Sequence, residues 1–457
     1  MLAAAFVGGC ASVFGLDPVD DVTITGTWLR QYAFNNANHT PVTEARPYSS
    51  SELFDIEVRT EEDAAVDIDF DYATGAFSFR APATRYRLKA RRQSGQLFEL
   101  QSSAPELAIL DTAYVRPNTI AAGPGTRITG TITPAAPYTH LVTTGVWTLT
   151  ALPEAPGSYD LSWENRGLLS AAGYDRIYFT RFSTLPEALD ASVVVAAGTI
   201  DVEMADRIAT TANVTLSPIA QPYCVNVKVA RRAELARITA RHPDLTENDV
   251  TAWNLYASPD LDLGVGMLFF LAVGNNACED CTVRYATPFA GFRTVGNLGA
   301  QRQLTLPDPY RVTRFAGITL FKAIEDSITC EPYVIEGGQV AIPANFHIDG
   351  RALVVDGDML ASRGKLVEVT WDSDAPAEMY QVLLVEAVAP GMTSNIIRII
   401  TTEPRALVDA ALLKSGHAYY FQVGAYVGFP NASSGDFAVV TYPYAGGYGS
   451  SPLFVVP

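Results

Sequence analysis

Positive charge is scarce in this sequence. Among 457 residues, 32 are lysine or arginine against 49 aspartate or glutamate, a formal net charge of −17. A surface this acidic repels phosphate backbones and anionic lipid headgroups, which excludes nucleic-acid binding as a main role. Charge of either sign is low at 18%, while 48% of the residues are hydrophobic, so the chain has the apolar material to fold and too little charge for a disordered polymer. Long apolar runs are also lacking. The most hydrophobic stretch, Gly264 to Gly274, is about eleven residues where a membrane helix needs about 20, and it reads as a buried strand. Histidine is rare: His39, His140, His242, His347 and His417 stand far apart, so no local metal pair exists. The sequence contains no G-x-S-x-G, no P-loop and no H-E-x-x-H, and Gly264 and Gly266 are a fragment of a dinucleotide pattern with no βαβ context. The expectation is a non-enzymatic chain, with no catalytic residue, no metal and no cofactor.

What is abundant points to β-structure. The 21 tyrosines and 21 phenylalanines, with many valines and threonines, suit a pleated, half-buried surface. The length exceeds what one core serves, since cores stop growing near ~250–300 residues. Val22 to Trp28 alternates in period two. Val66, Ile68, Phe70 and Tyr72 alternate with Asp67, Asp69 and Asp71, and a turn at Thr74 and Gly75 leads into Phe77 and Phe79. Tyr86 and Leu88 then alternate with Arg85, Arg87, Lys89 and Arg91, so one strand carries an acidic outer face and a later one a basic outer face, which predicts cross-strand ion pairs. The Gly/Pro-rich break at residues 117–125 ends a first β-domain, 22–122, and a second sandwich of Ig-like or fibronectin-like type spans 123–218. Residues 219–340 read as a mixed β-domain whose single convincing helix runs from Ala230 to Arg241, with Leu235 and Ile238 on an apolar edge, arginines on the other face, and Pro243 as the stop. The last domain is 341–457, where Asp349-Gly350 or Asp356-Gly357 supplies an extra hairpin in its long opening segment. The fold class expected is mostly β: tandem Ig-like or fibronectin type III-like sandwiches with one short helical insertion.

Three stretches resemble known families. Val7, Gly8, Gly9 and Cys10 resemble a bacterial lipobox, which implies cleavage before Cys10 and lipidation of its sulfur; the pattern departs from the usual one in that no Lys or Arg precedes Cys10. With Ala11 next, the resemblance favours the outer membrane, and residues 1–21 become signal, lipobox and tether. Together with Phe14 to Asp17 and the tandem β-modules, the chain is similar to uncharacterised lipoproteins of myxobacteria-like Gram-negatives. Thr74, Gly75, Phe77, Phe79, Pro82, Tyr86 and Leu88 resemble the transthyretin-like domains of carboxypeptidase regulatory regions, which implies a small seven-stranded sandwich with no catalysis of its own. Leu413, Gly416, Tyr419, Phe421 and Val423, after Trp371, resemble the fibronectin type III pattern, with Ser415 where proline is usual. The resemblance implies that Trp371 fills the space between sheets and that the Tyr419 hydroxyl bonds upstream backbone.

In an exported chain the remaining four cysteines default to disulfides. Four cysteines allow three connectivities; Cys278–Cys281 with Cys224–Cys330 is favoured, and a zinc site would need a second ligand pair that is missing. Asp67, Asp69 and Asp71 have the look of a calcium loop but lack its glycine and closing glutamate, and a solvated face is preferred. Asp260 and Asp262 read as a polar turn, and Glu279 and Asp280 as exposed residues of the cysteine loop. The basic helix either docks an acidic neighbour or covers the third domain's sheet. Tyr442, Tyr444 and Tyr448 read as an exposed aromatic loop able to stack on sugars or protein. The expectation is a lipoprotein anchored through Cys10, whose modules bind an unspecified protein or polysaccharide. The alternatives are a carbohydrate-binding accessory chain of an extracellular hydrolase, a structural subunit of a surface layer or filament, and an enzyme housed in residues 219–340.

Overall fold

The computed structural model describes residues 21–36, 38, 41–113, 117, 120–135, 139–143, 146–149, 157–164, 167–168, 176–184, 191–259, 269–274, 280–288, 292–335, 340–360 and 364–457. Cys10, His39, Asp260, Asp262, Gly264, Gly266, Cys278 and Glu279 lie outside these residues. Strand accounts for 62% and helix for 4%, which places the chain in the mostly-β class as its composition predicts.

Near the N-terminus, Asp21–Asn35 is a long central strand. It pairs antiparallel with Pro41–Pro47 and Ala76–Pro82, and parallel with Glu106–Ala113. A second sheet of Leu53–Thr60, Tyr86–Arg92 and Leu97–Ser102 faces it. Trp28, fully buried, meets Phe98 across the gap with ring centroids 5.1 Å apart, and Phe79 meets Tyr86 edge-on. In the next segment Arg127–Thr133 lies between Ser158–Ser162 and Ala209–Thr211, and Trp163 with Phe179 fills the core.

Residues 219–340 are built on an antiparallel meander of three long strands, Glu247–Pro259, Phe292–Thr305 and Thr313–Ile324. Their buried face, with Trp253, Leu255 and Leu298, packs on a small sheet of Tyr223–Val229, Asp280–Tyr285 and Glu331–Ile335. A disulfide joins Cys224 to Cys330 at the start of two of those strands, and Cys281 is disulfide-bonded as well. The helix Arg231–Arg241 buries Ile238 and leans Leu235 on the same core; His242 donates its backbone N–H to Ile238 and Pro243 follows. At the C-terminus, Pro343–Ile348, Leu366–Ser373 and Arg405–Asp409 form one layer. Met379–Ala389, Met392–Thr401, Ala418–Val427 and Tyr444–Ser450 form the other. Asp349 and Gly350, both at positive φ, turn Pro343–Ile348 back onto Arg351–Ala352; this two-residue turn needs left-handed backbone, and Asp-Gly supplies it. Trp371 is buried between the layers, and the Tyr419 hydroxyl, beside the bend at Gly416 (φ +79°), accepts the Lys414 backbone N–H at 3.0 Å.

Hydrogen-bonded sheets run across the divisions expected at residues 122, 218 and 340. Ala191–Asp201 pairs with Phe269–Gly274, and Thr313–Ile324 pairs with Tyr444–Ser450. Leu97–Ser102 runs parallel to Met392–Thr401, so an N-terminal strand extends the C-terminal sheet.

Two expectations are corrected by this arrangement. The acidic strand Ile68–Asp71 pairs with Ala76–Pro82, while the basic strand Tyr86–Arg92 belongs to the opposite sheet, so the two do not exchange ion pairs. Asp71 instead closes its own turn, accepting from Ala73 N and Thr74 Oγ1. Tyr444 and Tyr448 do not sit in a loop. Their strand is paired on both sides, by Thr313–Ile324 and Ala418–Val427, because the glycines between them let neighbouring chains approach closely.

Candidate binding surface

The fused sheet presents one face on which residues from the third and fourth segments stand in register. One row across it reads Val250, Gln301, Gly317, Tyr448 and Gly424; the next reads Ala252, Gly299, Thr319, Gly446 and Tyr426. Two glycines fall side by side with an alanine, so the surface dips where side chains are missing. The dip is a groove of about 380 Å³, floored by Ala252, Gly299 and Gly317 and walled by Val250, Phe315, Gln301, Gln422 and Tyr448. That volume lies within the ~300–1,000 Å³ of small-molecule and ligand sites.

Its walls are built unequally. Tyr448 is held: its hydroxyl is bonded to Thr319 and Tyr426, and burial pushes its phenol above the usual tyrosine range. It belongs to an aromatic ladder in which Tyr256 meets Phe270 and Phe321, Phe321 meets Tyr444, and Tyr444 meets Tyr426 and Phe429, at centroid distances of 4.9–6.4 Å. Tyr426 stands edge-on to Tyr448 at 5.8 Å. The N-terminal core packs against this ladder, sharing Met379, Ile400 and Tyr426. Of the three tyrosines expected to bind, then, Tyr448 edges the groove, Tyr444 serves the ladder, and Tyr442 lies under Arg293, whose guanidinium is 6.0 Å from its ring. The opposite wall is uncommitted. Phe315 is half-buried without an aromatic partner among the described residues, and the side-chain amides of Gln301 and Gln422, also half-buried, make no hydrogen bond to any described residue.

The sequence pointed to Tyr448 and missed Phe315, Gln301 and Gln422. The available signal was the spacing of Gly299 and Gly317 in two otherwise regular strands, where a glycine weakens the strand unless something must come close.

Two ionic junctions hold the scaffold around this surface. Between the N- and C-terminal segments, Arg87 and Glu99 are both fully buried. Arg87 donates to Asp63 at 2.5 Å and lies 3.9 Å from Glu99, while Lys89 lies 3.6 Å from both Glu57 and Glu99 and 3.8 Å from Asp409. Gln101 donates to Glu99 and to the Leu407 carbonyl and accepts the Leu407 N–H. Arg85 donates to Glu403, Thr401 and the Arg405 carbonyl. Burial pushes the Glu99 carboxyl up against the pull of Arg87 and Lys89, and burial likewise lowers Arg85. At the other junction the basic helix meets the C-terminal layer: Arg237 binds Asp374 at 2.7 Å and the Val340 carbonyl, Arg241 binds Asp372, and His242 shares a hydrogen bond with the Pro343 carbonyl. The helix thus does both things expected of it, covering its own sheet and docking an acidic neighbour. Asp67 and Asp69 line an open depression beside Asp21 and Arg80, and no group of three metal-ligating side chains occurs among the described residues.

No family model matches the chain, and no curated protein matches it. Among solved structures it is similar at 7% identity to the Bacillus anthracis TIE protein, covering 96% of this chain and 74% of that one with a TM-score of 0.14. It is also similar at 11% identity to a tetra-tandem repeat in the extending region of a large adhesion protein, covering 93% and 99% with a TM-score of 0.13. At such scores neither likeness bears on fold or function.

Proposed function

We propose that this chain is a non-enzymatic binding protein of the bacterial cell envelope, anchored through lipidated Cys10, whose β-modules engage protein or polysaccharide at the surface. The observation that carries this reading is the pairing of a continuous sheet with a groove in which Phe315 has no aromatic partner, and the side-chain amides of Gln301 and Gln422 no hydrogen bond, among the described residues. Unused amides and an unstacked ring on a rigid platform suit recognition, since ligand sites combine apolar walls with a few polar groups that fix orientation. The Tyr419 hydroxyl, the buried Trp371 and the bend at Gly416 support reading residues 341–457 as fibronectin type III-like, and the Phe79–Tyr86 contact supports a transthyretin-like reading of the first module.

The test has two arms. Mass spectrometry of the mature protein from its native membrane reads the anchor: a diacylglyceryl-modified Cys10 is expected, and an unmodified N-terminus removes the lipoprotein assignment. Affinity electrophoresis and reducing-end assays against a polysaccharide panel, with binding assays against purified envelope proteins, read the function. Retention with no new reducing ends supports binding. Release of reducing ends, or no retention by any glycan or protein, overturns the proposal.

A further inference from the structure

The groove also constrains what it can hold. Although the chain carries a net charge of −17, none of the described residues lining the groove is an acid or a base; Tyr448 is the one titratable group among them, and it is held neutral. A charged ligand entering would lose hydration and gain no counter-charge, which is costly. An amide both donates and accepts, and so does a sugar hydroxyl; Gln301 and Gln422 therefore match a polyol better than they match an ion. Phe315 presents a ring with no aromatic partner among the described residues, and aromatic faces pack against apolar faces of ligands. The floor is flat because Gly299 and Gly317 carry no side chains. The space over Gly299 is open, since a Cβ there would meet nothing nearer than the Ala252 carbonyl at 3.9 Å, whereas at Gly317 a Cβ would meet the Ala300 carbonyl at 2.6 Å and the glycine serves the close approach of the neighbouring strand. The two strands that carry Gly299 and Gly317 are each paired on both sides, so over the floor of the groove neither offers a backbone edge to a peptide as an added strand.

From these features we infer that the groove is a binding site for an uncharged polysaccharide, with a sugar ring lying over Gly299 and Gly317 against Phe315 and its hydroxyls bonded to Gln301 and Gln422. This deepens the binding function proposed above and rests on it.

The experiment uses the full mature chain in affinity electrophoresis and calorimetry against neutral polymers (a β-1,4-glucan, an α-glucan and a mannan) and an anionic one (polygalacturonate). Two variants are compared with it. Gly299→Leu fills the groove from a strand position of ordinary backbone, and Gln301→Ala with Gln422→Ala removes the amides without touching the core. Both are checked by circular dichroism and melting temperature. The expected result is retention by at least one neutral polymer and none by polygalacturonate, loss of retention in Gly299→Leu, and at least a tenfold weakening in the double alanine variant. Should Gly299→Leu fail to fold, the alanine variant decides. If a neutral polymer binds both variants as tightly as the parent, the groove is the wrong site and the broader binding reading stands. If the parent retains only polygalacturonate or binds only a protein, the ligand class is wrong. If nothing binds, both readings fall.

Discussion

Arg87 and Arg241 face carboxylates at the two junctions of the same molecule, in opposite surroundings. Arg87 has no solvent exposure and is surrounded by Asp63, Glu99 and Lys89 beneath the parallel pairing of Leu97–Ser102 with Met392–Thr401. Arg241 and Arg237 meet Asp372 and Asp374 at a partly solvated seam. Buried ions have given up their water and depend on one another; surface ions keep most of theirs. The N-terminal junction is therefore brittle and specific, whereas the helix junction is forgiving. Three atoms sharpen the contrast: Arg87 Nε and Nη1 and Glu99 Oε2 are buried without a hydrogen-bond partner among the described residues, so the first cluster's members are held by geometry as much as by pairing.

The largest predicted effect breaks that cluster. Arg87→Ala leaves Glu99 facing Lys89 alone in a buried site, and the expected loss is about 3–5 kcal/mol, read by urea unfolding followed through tryptophan fluorescence. Replacing Arg87 and Glu99 together by Met and Leu removes both charges, and the expected loss is below about 1.5 kcal/mol, because a well-packed apolar pair substitutes for a buried ion pair at little cost. If the single and double variants lose equally, packing and not charge holds this junction.

A smaller effect belongs to the helix. Arg237→Ala and Arg241→Ala should each cost about 1 kcal/mol or less, more of it in low salt, since both pairs are partly solvated. Arg237 should cost the more of the two, because it also donates to the Val340 carbonyl and its partner Asp374 accepts the Ile342 N–H. Melting curves at two ionic strengths separate the variants. Equal salt dependence for Arg87→Ala and Arg237→Ala would erase the distinction between the junctions.

The two junctions also differ in how much the sequence disclosed. The helix was legible because its signals are local: Leu235 and Ile238 three residues apart, arginines on the other face, Pro243 at the end. The class of fold was legible for the same reason, since period-two burial in Val66 to Phe79 or Val367 to Trp371 needs only neighbours. The buried cluster was not legible. Arg85, Arg87, Lys89 and Arg91 alternate as a solvated face would, and only the approach of residues some three hundred positions along the chain turns that face inward. The tyrosine strand misled in the same way, because its glycines look like a loop until Gly446 and Gly447 are seen beneath Tyr426 and the Ala341 carbonyl. The groove needed two strands brought into register before Gly299 and Gly317 could mean anything.

The subtlest test lies in acid. Burial pushes the Glu99 carboxyl above the usual glutamate range, so the folded junction holds its proton more tightly than the unfolded chain does. Its contribution is complete below the ordinary glutamate value and is lost as pH rises through the elevated one. Burial also acts to raise Asp374, but its hydrogen bonds from Arg237 and the Ile342 N–H, with the charges of Arg237 and Arg241, outweigh it and hold the carboxyl below the usual aspartate range. Its contribution is complete above the ordinary aspartate value and is lost as pH falls through the depressed one. Glu99→Gln and Asp374→Asn each remove one titration while keeping the shape. Measured as stability against pH, the difference between parent and Glu99→Gln should move in the parent's favour on acidification, and the difference between parent and Asp374→Asn should move against it. Two slopes of the same sign would mean that the buried cluster, despite its desolvation, behaves as an ordinary surface pair.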